Sequence, residues 1–489
     1  MKNLTLILLI LVSCMANLTA QNWEKIFNSP QWINGRSVMQ LPDGDILIGG
    51  MINDPGALFL TSGLLVRTDA SGNMKWLKRF GATTADGQFV RNERYLKFVL
   101  STDGHVLAVG TRTPNQVNNY TDADVAVAKF DLDGNEIWRV YFDWDRTDNG
   151  LGITALPNGE MVVCGNTNSL NEAAQLDGFL MKLDVNGIMQ WRKTYGDVVV
   201  EDWLYGVTLS VNQTIIAAGT TQLPTVGNRV WALQTDLNGN QIWSKTYGPN
   251  AVKGSAITAL ANGHMGIAGM GYSSATSLDN LVMEINGQGQ EIWAENFFSP
   301  GPLPVPDELF DIIPCQEGGY AAVGLSGVDP FDGFYVLRVN ANGQAQTMTT
   351  LYDGAPFTEF ANGLTHASDG AILVCGSRVK PGGDYDLVLH RIEGWNCSAF
   401  TTTSTAEVKA VEVQISPNPA SEWVQIQLGL TEDVSGRITL FDASGKQVLS
   451  ETISTAAFQL NGKDLPRGTY FYQIQLEKAG ISTGTIVFQ

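Results

Sequence analysis

The fold of this chain is decided by residues 231–248, WALQTDLNGNQIWSKTYG. An apolar segment leads into the turn sequence Asp236-Leu-Asn-Gly239, and a second segment that contains Trp243 follows it. The Asn-Gly pair allows positive φ at both positions, and the flanking residues alternate between apolar and polar. The stretch therefore predicts a β-hairpin closed by a type I′ turn.

The same pattern recurs along the chain, with an Asp- or Asn-initiated turn placed before a tryptophan. The other copies are Asp69–Gly72 before Trp76, Asp131–Gly134 before Trp138, Asp184–Gly187 before Trp191, Asn286–Gly289 before Trp293 and a degenerate Asn340–Gly343 before Met348. A large aromatic residue at the same place in each repeat is typical of packing between neighbouring sheets. We therefore expect these tryptophans to form the core between repeats rather than a sugar-stacking surface.

A second repeated feature is a glycine that follows a short turn and an apolar strand. The seven positions are Gly50, Gly110, Gly165, Gly219, Gly269, Gly324 and Gly376. An all-β repeat of about 50 to 60 residues is typical of a propeller, because a single four-stranded sheet cannot bury both of its faces. In the clearest copy we expect strands at 205–211, 214–220, 229–236 and 241–247, with Asn212-Gln213 as the first turn.

The two ends of the repeat region complement each other. Residues 22–27 (NWEKIF) read as a fourth strand with no strands before it, and the last repeat has three strands but no fourth. Pairing of the two would remove open sheet edges that invite aggregation. The sequence predicts a seven-bladed β-propeller over residues 21–395, closed by the N-terminal strand.

The remaining C-terminal residues have a different composition. A polar linker is expected over 396–410, and residues 411–489 alternate between apolar and polar around turn sequences at Asp442–Gly445 and Leu465–Gly468. This pattern predicts a small Ig-like β-sandwich, so the chain as a whole is expected to be all-β.

Two parts of the chain resemble known families. The Asp-x-x-Gly turns followed by Trp-x-Lys-x-Tyr-Gly resemble quinoprotein-type propeller repeats of secreted bacterial proteins. Pro417–Ser421, the Asp442–Lys446 hairpin and Leu465–Tyr470 resemble the C-terminal sorting domain of type IX secretion cargo, although Val487–Gln489 lacks the basic residue often found there. The second resemblance implies the type IX machinery as a partner, and a secreted or outer-membrane-surface location reached through the periplasm.

The N-terminus indicates the same route. Residues 1–20 contain Met1-Lys2, an apolar run and a small-residue cleavage site, which together predict a secretory signal peptide. A lipoprotein box at Leu11–Cys14 is the alternative, with Cys14 acylated. No later apolar run reaches the ~20 residues that a transmembrane helix requires.

The net charge of −19 argues against nucleic acid or an anionic membrane as partner. It favours a neutral or cationic ligand instead. Among the cysteines that follow the signal peptide, Cys164 and Cys375 occupy the same repeat position and are expected to be packed in the core. A Cys315–Cys397 bridge is left open.

Catalytic signatures are missing from the sequence: it has no His-Glu-x-x-His, Gly-x-Ser-x-Gly or Gly-x-x-x-x-Gly-Lys motif. The four histidines share no local spacing. Acidic turns such as Asp131–Glu136 and Asp143–Asp148 could suggest calcium, but hairpin turns explain the first of these. We predict no catalytic residue, no cofactor and no metal site, and the sequence does not decide whether the chain is an enzyme.

Long loops on one face of the scaffold are the best candidates for function. Acidic and aromatic residues that vary between repeats mark a ligand-binding surface, for which we select Trp144, Asp148, Asp202, Trp203 and Tyr385. The favoured function is a binding or adhesion protein for a glycan, peptide or other surface ligand. The alternative is an extracellular polysaccharide hydrolase or lyase that uses Asp148 and Asp202 as acid and base. Redox chemistry is a third hypothesis, raised only by the repeat resemblance.

Overall fold

The structure is a computed structural model of the chain. It describes residues 22–53, 61–81, 92–113, 123–169, 176–196, 200–274, 277–297, 307–315, 317–328, 331–351, 359–380, 384–395, 413–429, 434–441, 447–463, 465–476 and 480–489. These residues form strands, turns and irregular segments, and none of them lies in a helix. None can therefore belong to a membrane-spanning helix. The chain divides into two compact units between residues 400 and 401.

The first unit contains strand β1 (Trp23–Phe27) and seven antiparallel four-stranded sheets. Sheet 1 has β2 (Ile33–Gln40), β3 (Ile46–Asn53), β4 (Thr61–Thr68) and β5 (Met74–Phe80); sheet 2 has β6 (Asn92–Leu100), β7 (Val106–Thr113), β8 (Asp124–Phe130) and β9 (Glu136–Phe142). Sheet 3 has β10 (Asp148–Ala155), β11 (Met161–Thr167), β12 (Asp177–Leu183) and β13 (Met189–Tyr195); sheet 4 has β14 (Asp202–Leu209), β15 (Ile215–Leu223), β16 (Gly227–Thr235) and β17 (Gln241–Tyr247).

The last three sheets follow the same order. Sheet 5 has β18 (Ala251–Ala259), β19 (Met265–Ser274), β20 (Ser277–Ile285) and β21 (Glu291–Phe297). Sheet 6 has β22 (Glu308–Pro314), β23 (Tyr320–Val328), β24 (Phe331–Val339) and β25 (Ala345–Leu351). Sheet 7 has β26 (Glu359–His366), β27 (Ile372–Val379) and β28 (Tyr385–Ile392), and its fourth strand is β1.

The first strand of each sheet forms an inner ring. β2 contacts β6, β6 contacts β10, and the contacts continue through β14, β18, β22 and β26, which returns to β2. Closure also involves β1, which pairs antiparallel with β28 from Trp23 opposite Arg391 to Phe27 opposite Leu387. The predicted pairing of the N-terminal strand with the last repeat is confirmed.

The repeated tryptophan is explained by a contact between neighbouring sheets. The Trp191 ring covers Gly239 of the next sheet so closely that a methyl group there would lie 2.8 Å from the ring, and its Nε1 donates to the Leu237 carbonyl at 3.1 Å. The Tyr195 hydroxyl donates to the Gly239 carbonyl at 2.7 Å. The same ring-on-glycine contact joins Trp23 to Gly72, Trp76 to Gly134, Trp138 to Gly187, Trp243 to Gly289 and Trp293 to Gly343. The expected packing role is confirmed.

The turn at the centre of the motif differs from the prediction. Of its residues only Gly239 has a positive φ, at 73°, so the type I′ turn is wrong. Asp236 Oδ1 accepts hydrogen bonds from the backbone N–H groups of Asn238 and Asn240, both at 2.8 Å. These bonds favour a type I turn followed by a left-handed glycine over the mirror-image turn.

The inner strand of sheet 4 also lies earlier than expected. β14 begins at Asp202 rather than 205, and it ends at Leu209 because a four-residue turn follows. In that turn the Ser210 N–H donates to Thr214 O at 2.8 Å, and the Gln213 N–H donates to Ser210 O at 3.0 Å. Strand pairing therefore stops before Asn212-Gln213, the two residues that were expected to form the whole turn.

The second unit contains two smaller sheets that share one core. Its strands are β29 (Val413–Ser416), β30 (Trp423–Leu428), β31 (Gly436–Phe441), β32 (Gln447–Ile453), β33 (Ala457–Asn461), β34 (Gly468–Leu476) and β35 (Gly480–Phe488). One sheet has the order β29-β30-β33 and the other β32-β31-β34-β35. Asn418 ties the first residues of this unit to the last strand, since its side chain donates to Thr485 O at 3.0 Å and accepts from Val487 N at 2.9 Å.

The cysteines divide into two groups. Cys164 and Cys375 are free and buried, as their repeat position predicts. Cys315 is also buried and is disulfide-bonded. The predicted partner Cys397 lies outside the described residues, and so do the signal peptide with Cys14, the linker at 396–410 and the turn at 442–446.

Candidate functional site

Beside each of the seven repeated glycines, one residue of the inner strand forms a β-bulge. A methyl group on Gly219 would lie 1.7 Å from the Trp203 carbonyl oxygen, because β14 passes directly against the glycine. The register then shifts between Leu204 and Gly206, which leaves Tyr205 as the extra residue. A bulge of this kind re-aims a side chain that regular pairing would direct elsewhere.

All seven inner strands carry this bulge. The extra residues are Arg36, Leu96, Leu151, Tyr205, Ser255, Phe310 and Asn362. All seven line one cavity of about 280 Å³, which we call the central cavity, and it is enclosed by residues from every inner strand. The repeated backbone thus presents seven different side chains to one space.

Two ion pairs occupy the central cavity. Lys97 Nζ lies 2.8 Å from Asp311 Oδ1, and it joins β6 to β22, two strands that are not neighbours in the inner ring. Lys253 Nζ lies 2.6 Å from Glu308 Oε1, which also accepts from Ser255 Oγ at 2.7 Å. The acids of this cavity are therefore already engaged with cations, and the Lys97–Asp311 pair spans the ring.

A larger cavity of about 570 Å³ lies at the ends of the strands that lead into the long loops. We call it the loop-face cavity. It shares Arg36, Leu96 and Leu151 with the central cavity, and Trp32, Arg94 and Asp384 contribute to its wall. Its other polar residues carry amides or hydroxyls and are Asn53, Thr61, Asn92, Thr111, Thr113 and Asn149.

Arg36 is the most unusual residue of this wall. Its Nε is buried without a hydrogen-bond partner, and the described part of the chain offers the guanidinium no ion pair. Burial lowers the pKa of Arg36 to about 10; the nearby charge of Arg94 lowers it further, while Cys375 and Tyr385 act in the opposite direction. Arg36 stays protonated at neutral pH, and among the described residues no ion pair compensates its charge.

The loop-face cavity brings none of the five sequence-selected residues into its wall. Trp144 packs edge-on against Phe179 at 5.3 Å between ring centroids, and Arg192 lies over its ring at 3.9 Å. Tyr385 contacts the wall residue Trp32 edge-on at 5.1 Å between ring centroids. Trp203 is half-buried at the beginning of β14.

Asp148 and Asp202 are both buried, at 0% and 1% exposure. Asp148 accepts hydrogen bonds from the hydroxyl of Ser169 at 2.9 Å and from the Trp144 N–H at 3.1 Å. Burial raises the pKa of Asp148 to about 6, although these bonds act against the rise.

An acidic residue recurs at the same position of the inner strand in several sheets. Glu93 lies opposite Arg112, Asp148 opposite Thr167, Asp202 opposite Thr221 and Glu359 opposite Arg378, in each case two residues beyond the repeated glycine. The four acids are buried at the beginnings of their inner strands. Asp148 and Asp202 therefore belong to the repeat architecture, and their proposed part in ligand binding stays a prediction, as it does for Trp144, Trp203 and Tyr385.

The residues that the sequence reasoning missed are those of the bulge. Each lies 14 residues before the repeated glycine, as 36 lies before 50, 96 before 110 and 151 before 165, and the offset holds in the remaining four repeats. Alignment on the glycine would therefore have isolated one variable position per repeat. Arg36 would have stood out there as the only charged residue among the seven.

The acidic turns have local explanations. Asp131 Oδ1 accepts from the Asn135 N–H at 2.7 Å, which closes the hairpin turn, and Asp143 Oδ1 accepts from the Asp145 N–H at 3.1 Å. Across the described ranges, no group of three or more His, Cys, Asp or Glu side chains is arranged to hold a metal ion.

Solved structures with a similar backbone trace have low sequence identity to this chain. One is a protein of unknown function from Dyadobacter fermentans, with 11% identity and a TM-score of 0.41 over 76% of this chain and 98% of that one. Another is an ulvan lyase, a polysaccharide lyase, with 11% identity and a TM-score of 0.48 over 76% and 96%. A third is an α-L-arabinofuranosidase from Fusarium graminearum, with 13% identity and a TM-score of 0.41 over 76% and 97%. These similarities carry no conclusion about activity.

No curated protein matches the sequence. Residues 414–489 match the family model described as the secretion system C-terminal sorting domain, which covers the second unit from within β29 to the last residue. This match agrees with the resemblance at Pro417–Ser421 and Leu465–Tyr470. The chain therefore carries a type IX sorting domain, which directs it to the cell surface or to secretion.

Proposed function

We propose that this chain is an exported or cell-surface seven-bladed β-propeller that binds a glycan, peptide or other surface ligand in its loop-face cavity. The observation that carries the proposal is the cavity itself. It has about 570 Å³ of space at the mouth of the inner ring, a wall rich in amides and hydroxyls, and an arginine whose Nε is buried without a hydrogen-bond partner among the described residues. Ligand sites of soluble proteins are commonly concave spaces of this size with a few convergent polar groups.

The sheet arrangement supports the propeller. Seven similar sheets contact one another in sequence through their inner strands, and the Trp23–Gly72 contact repeats between the last and the first sheet the packing found elsewhere. We assign the propeller to 21–395, the linker to 396–410 and an Ig-like sorting domain to 411–489, after a signal peptide at 1–20. The type IX secretion machinery would recognise the last domain.

The binding site can be tested by filling the cavity. Leu151 lines both cavities from a bulge, so the larger side chain of Leu151→Trp would extend into the open space. We expect wild-type protein to bind members of a glycan and peptide array and Leu151→Trp to lose that binding. Ile242→Trp is the matched control, because Ile242 is 54% exposed on the outer strand β17. Equal binding by Leu151→Trp and wild type would contradict the proposal.

The alternative of a polysaccharide hydrolase or lyase stays a prediction of the sequence. It assigns acid and base roles to Asp148 and Asp202, and such a pair must reach the substrate. Both side chains are buried at repeat positions, so their surroundings give this function no support. The quinoprotein-type resemblance likewise stays a prediction.

A further inference from the structure

Resting on the cavity proposed above, we infer that the loop-face cavity recognises the carboxylate or sulfate group of an acidic saccharide, through Arg36 with Arg94 beside it. The proposal differs from the neutral or cationic ligand that the net charge of −19 suggests. Charges on the protein surface more than roughly 8 Å away are largely screened at physiological salt, so the local arginines decide what binds in the cavity.

Arg36 lacks partners for part of its guanidinium. A buried donor atom that lacks a hydrogen-bond partner destabilises the folded state. Arg36 is half-buried as a residue, but its Nε is buried in this way, and Arg94 adds repulsion from a like charge. An anion that enters the cavity would supply acceptor atoms to the Arg36 guanidinium and compensate its charge. Guanidinium groups bind planar oxyanions in two-pronged geometry, which suits a carboxylate or a sulfate.

The nearby described acids do not neutralise Arg36. Asp311 is paired with Lys97, and Glu308 is paired with Lys253. Asp384, the one carboxylate among the described residues that line the loop-face cavity, is exposed. No ion pair joins it to Arg36 in the described structure. The positive charge of Arg36 is therefore available to a ligand.

The polar wall of the cavity suits the rest of the ligand. Its amides are held in place by hydrogen bonds: Asn149 Nδ2 donates to Asn166 Oδ1 at 2.8 Å, and Asn53 Oδ1 accepts from the Trp32 backbone N–H at 2.7 Å. Fixed amides next to an aromatic ring form a wall that suits a compact ligand rich in hydroxyl groups. A sugar ring that bears an acidic group combines these features with the anion that Arg36 requires.

The test uses two ligands with the same sugar backbone, one with free carboxylates and one with uncharged methyl esters. Binding of oligogalacturonates and of their fully methyl-esterified counterparts to the full chain is measured by isothermal titration calorimetry. We expect the acid form to bind wild type at least tenfold more tightly than the ester, because a charge-assisted pair replaces a neutral contact. Arg36→Gln should lose this tenfold preference, and Arg36→Lys should retain part of it. Arg146→Gln, an exposed arginine in the loop between β9 and β10, is the control that should keep it.

The possible outcomes separate the two proposals. In one outcome, acid and ester bind wild type equally and both lose binding to Leu151→Trp. This result would overturn the anion inference and leave the cavity as the binding site. Acid binding that survives Leu151→Trp would overturn the cavity as the site. Failure of both forms to bind wild type, or an unchanged preference in Arg36→Gln, would overturn the anion inference. Melting temperatures without ligand check the fold, and Arg36→Gln is expected to melt no lower than wild type.

Discussion

Gly219 shows how a single residue positions the site. The Trp203 carbonyl oxygen lies where a side chain would begin, and the same contact is found at the other six glycines of the series. Without a Cβ, the two strands approach closely enough for the bulge at Tyr205 to form. The glycine is therefore required by a close backbone approach and not by an unusual φ.

Replacing this glycine should damage the fold. Because backbone atoms cannot yield as a flexible side chain can, we expect Gly219→Ala to lower the free energy of unfolding by about 2–4 kcal/mol. Denaturant unfolding of the purified protein provides the measurement. Gly287→Ala is the matched control, since a methyl group there meets only the Gly263 carbonyl at 3.5 Å. Equal losses in the two variants would contradict this explanation of the glycine series.

Asp148 should make stability depend on pH. Burial raises its pKa from 3.8 to about 6, so between these values the folded state holds a proton that the unfolded state has released. The free energy of unfolding should therefore fall as pH rises from about 4 to about 6, by up to about 3 kcal/mol from this group. Denaturant unfolding at both pH values measures the fall.

Asp148→Asn should remove the part of the fall in unfolding free energy that comes from Asp148, since an amide does not titrate in this pH range. Asp143→Asn is the control, because Asp143 is exposed in the same loop. The same decrease with pH in Asp148→Asn as in wild type would show that Asp148 is not the group responsible.

At the scale of the element, the fourth strands carry the tryptophans whose rings lie on a turn glycine of the next sheet. Trp191, Lys193 and Tyr195 of β13 all contact the turn at Gly239 or Asn240, where the Lys193 ammonium donates to Asn240 Oδ1 at 2.8 Å. The Trp-x-Lys-x-Tyr motif is thus one side of an interface, and the Asp-x-x-Gly turn is the other. The motif recurs because most sheets contribute both sides, although β25 of sheet 6 has Thr347 at the position of the tryptophan.

The N-terminal strand should therefore stabilise the unit as an internal strand does. Trp23 lies on Gly72 as Trp243 lies on Gly289, so we expect Trp23→Ala and Trp243→Ala to lower the free energy of unfolding by similar amounts, roughly 1–3 kcal/mol for half-buried rings. Thermal or denaturant unfolding tests this. Trp423→Ala, at 45% exposure in the second unit, is the control. A loss for Trp243→Ala without one for Trp23→Ala would contradict closure by β1.

At the scale of the whole molecule, the sequence predicts the repeated contacts well and the site poorly. Counterparts of Gly219 and Trp243 recur along the chain, because the sheets share the same close backbone approach and, with the exception of sheet 6, the same tryptophan packing. The bulge residues vary from Arg36 to Leu151 to Asn362, since they face a cavity and not a neighbouring sheet. Their convergence depends on the closure of the ring, which brings together residues hundreds of positions apart.

The acidic residues mislead for a related reason. Asp148 and Asp202 stand out in irregular loop sequence, yet the register places them at one repeated buried position. Net charge misleads in the same way, because it sums the whole surface while the cavity is lined by Arg36 and Arg94. Local geometry, which neither composition nor spacing within one repeat reveals, decides the ligand.

The most direct test of the account is to locate an oxyanion in the protein. Crystals of the full chain soaked in selenate, a tetrahedral anion with a strong anomalous signal, would be measured at the selenium absorption edge. We predict an anomalous peak in the loop-face cavity within hydrogen-bonding distance of the Arg36 guanidinium, and its loss in Arg36→Gln. Selenate bound only at other sites, or an empty cavity at saturating selenate, would contradict the claim that Arg36 makes this cavity an anion-recognition site.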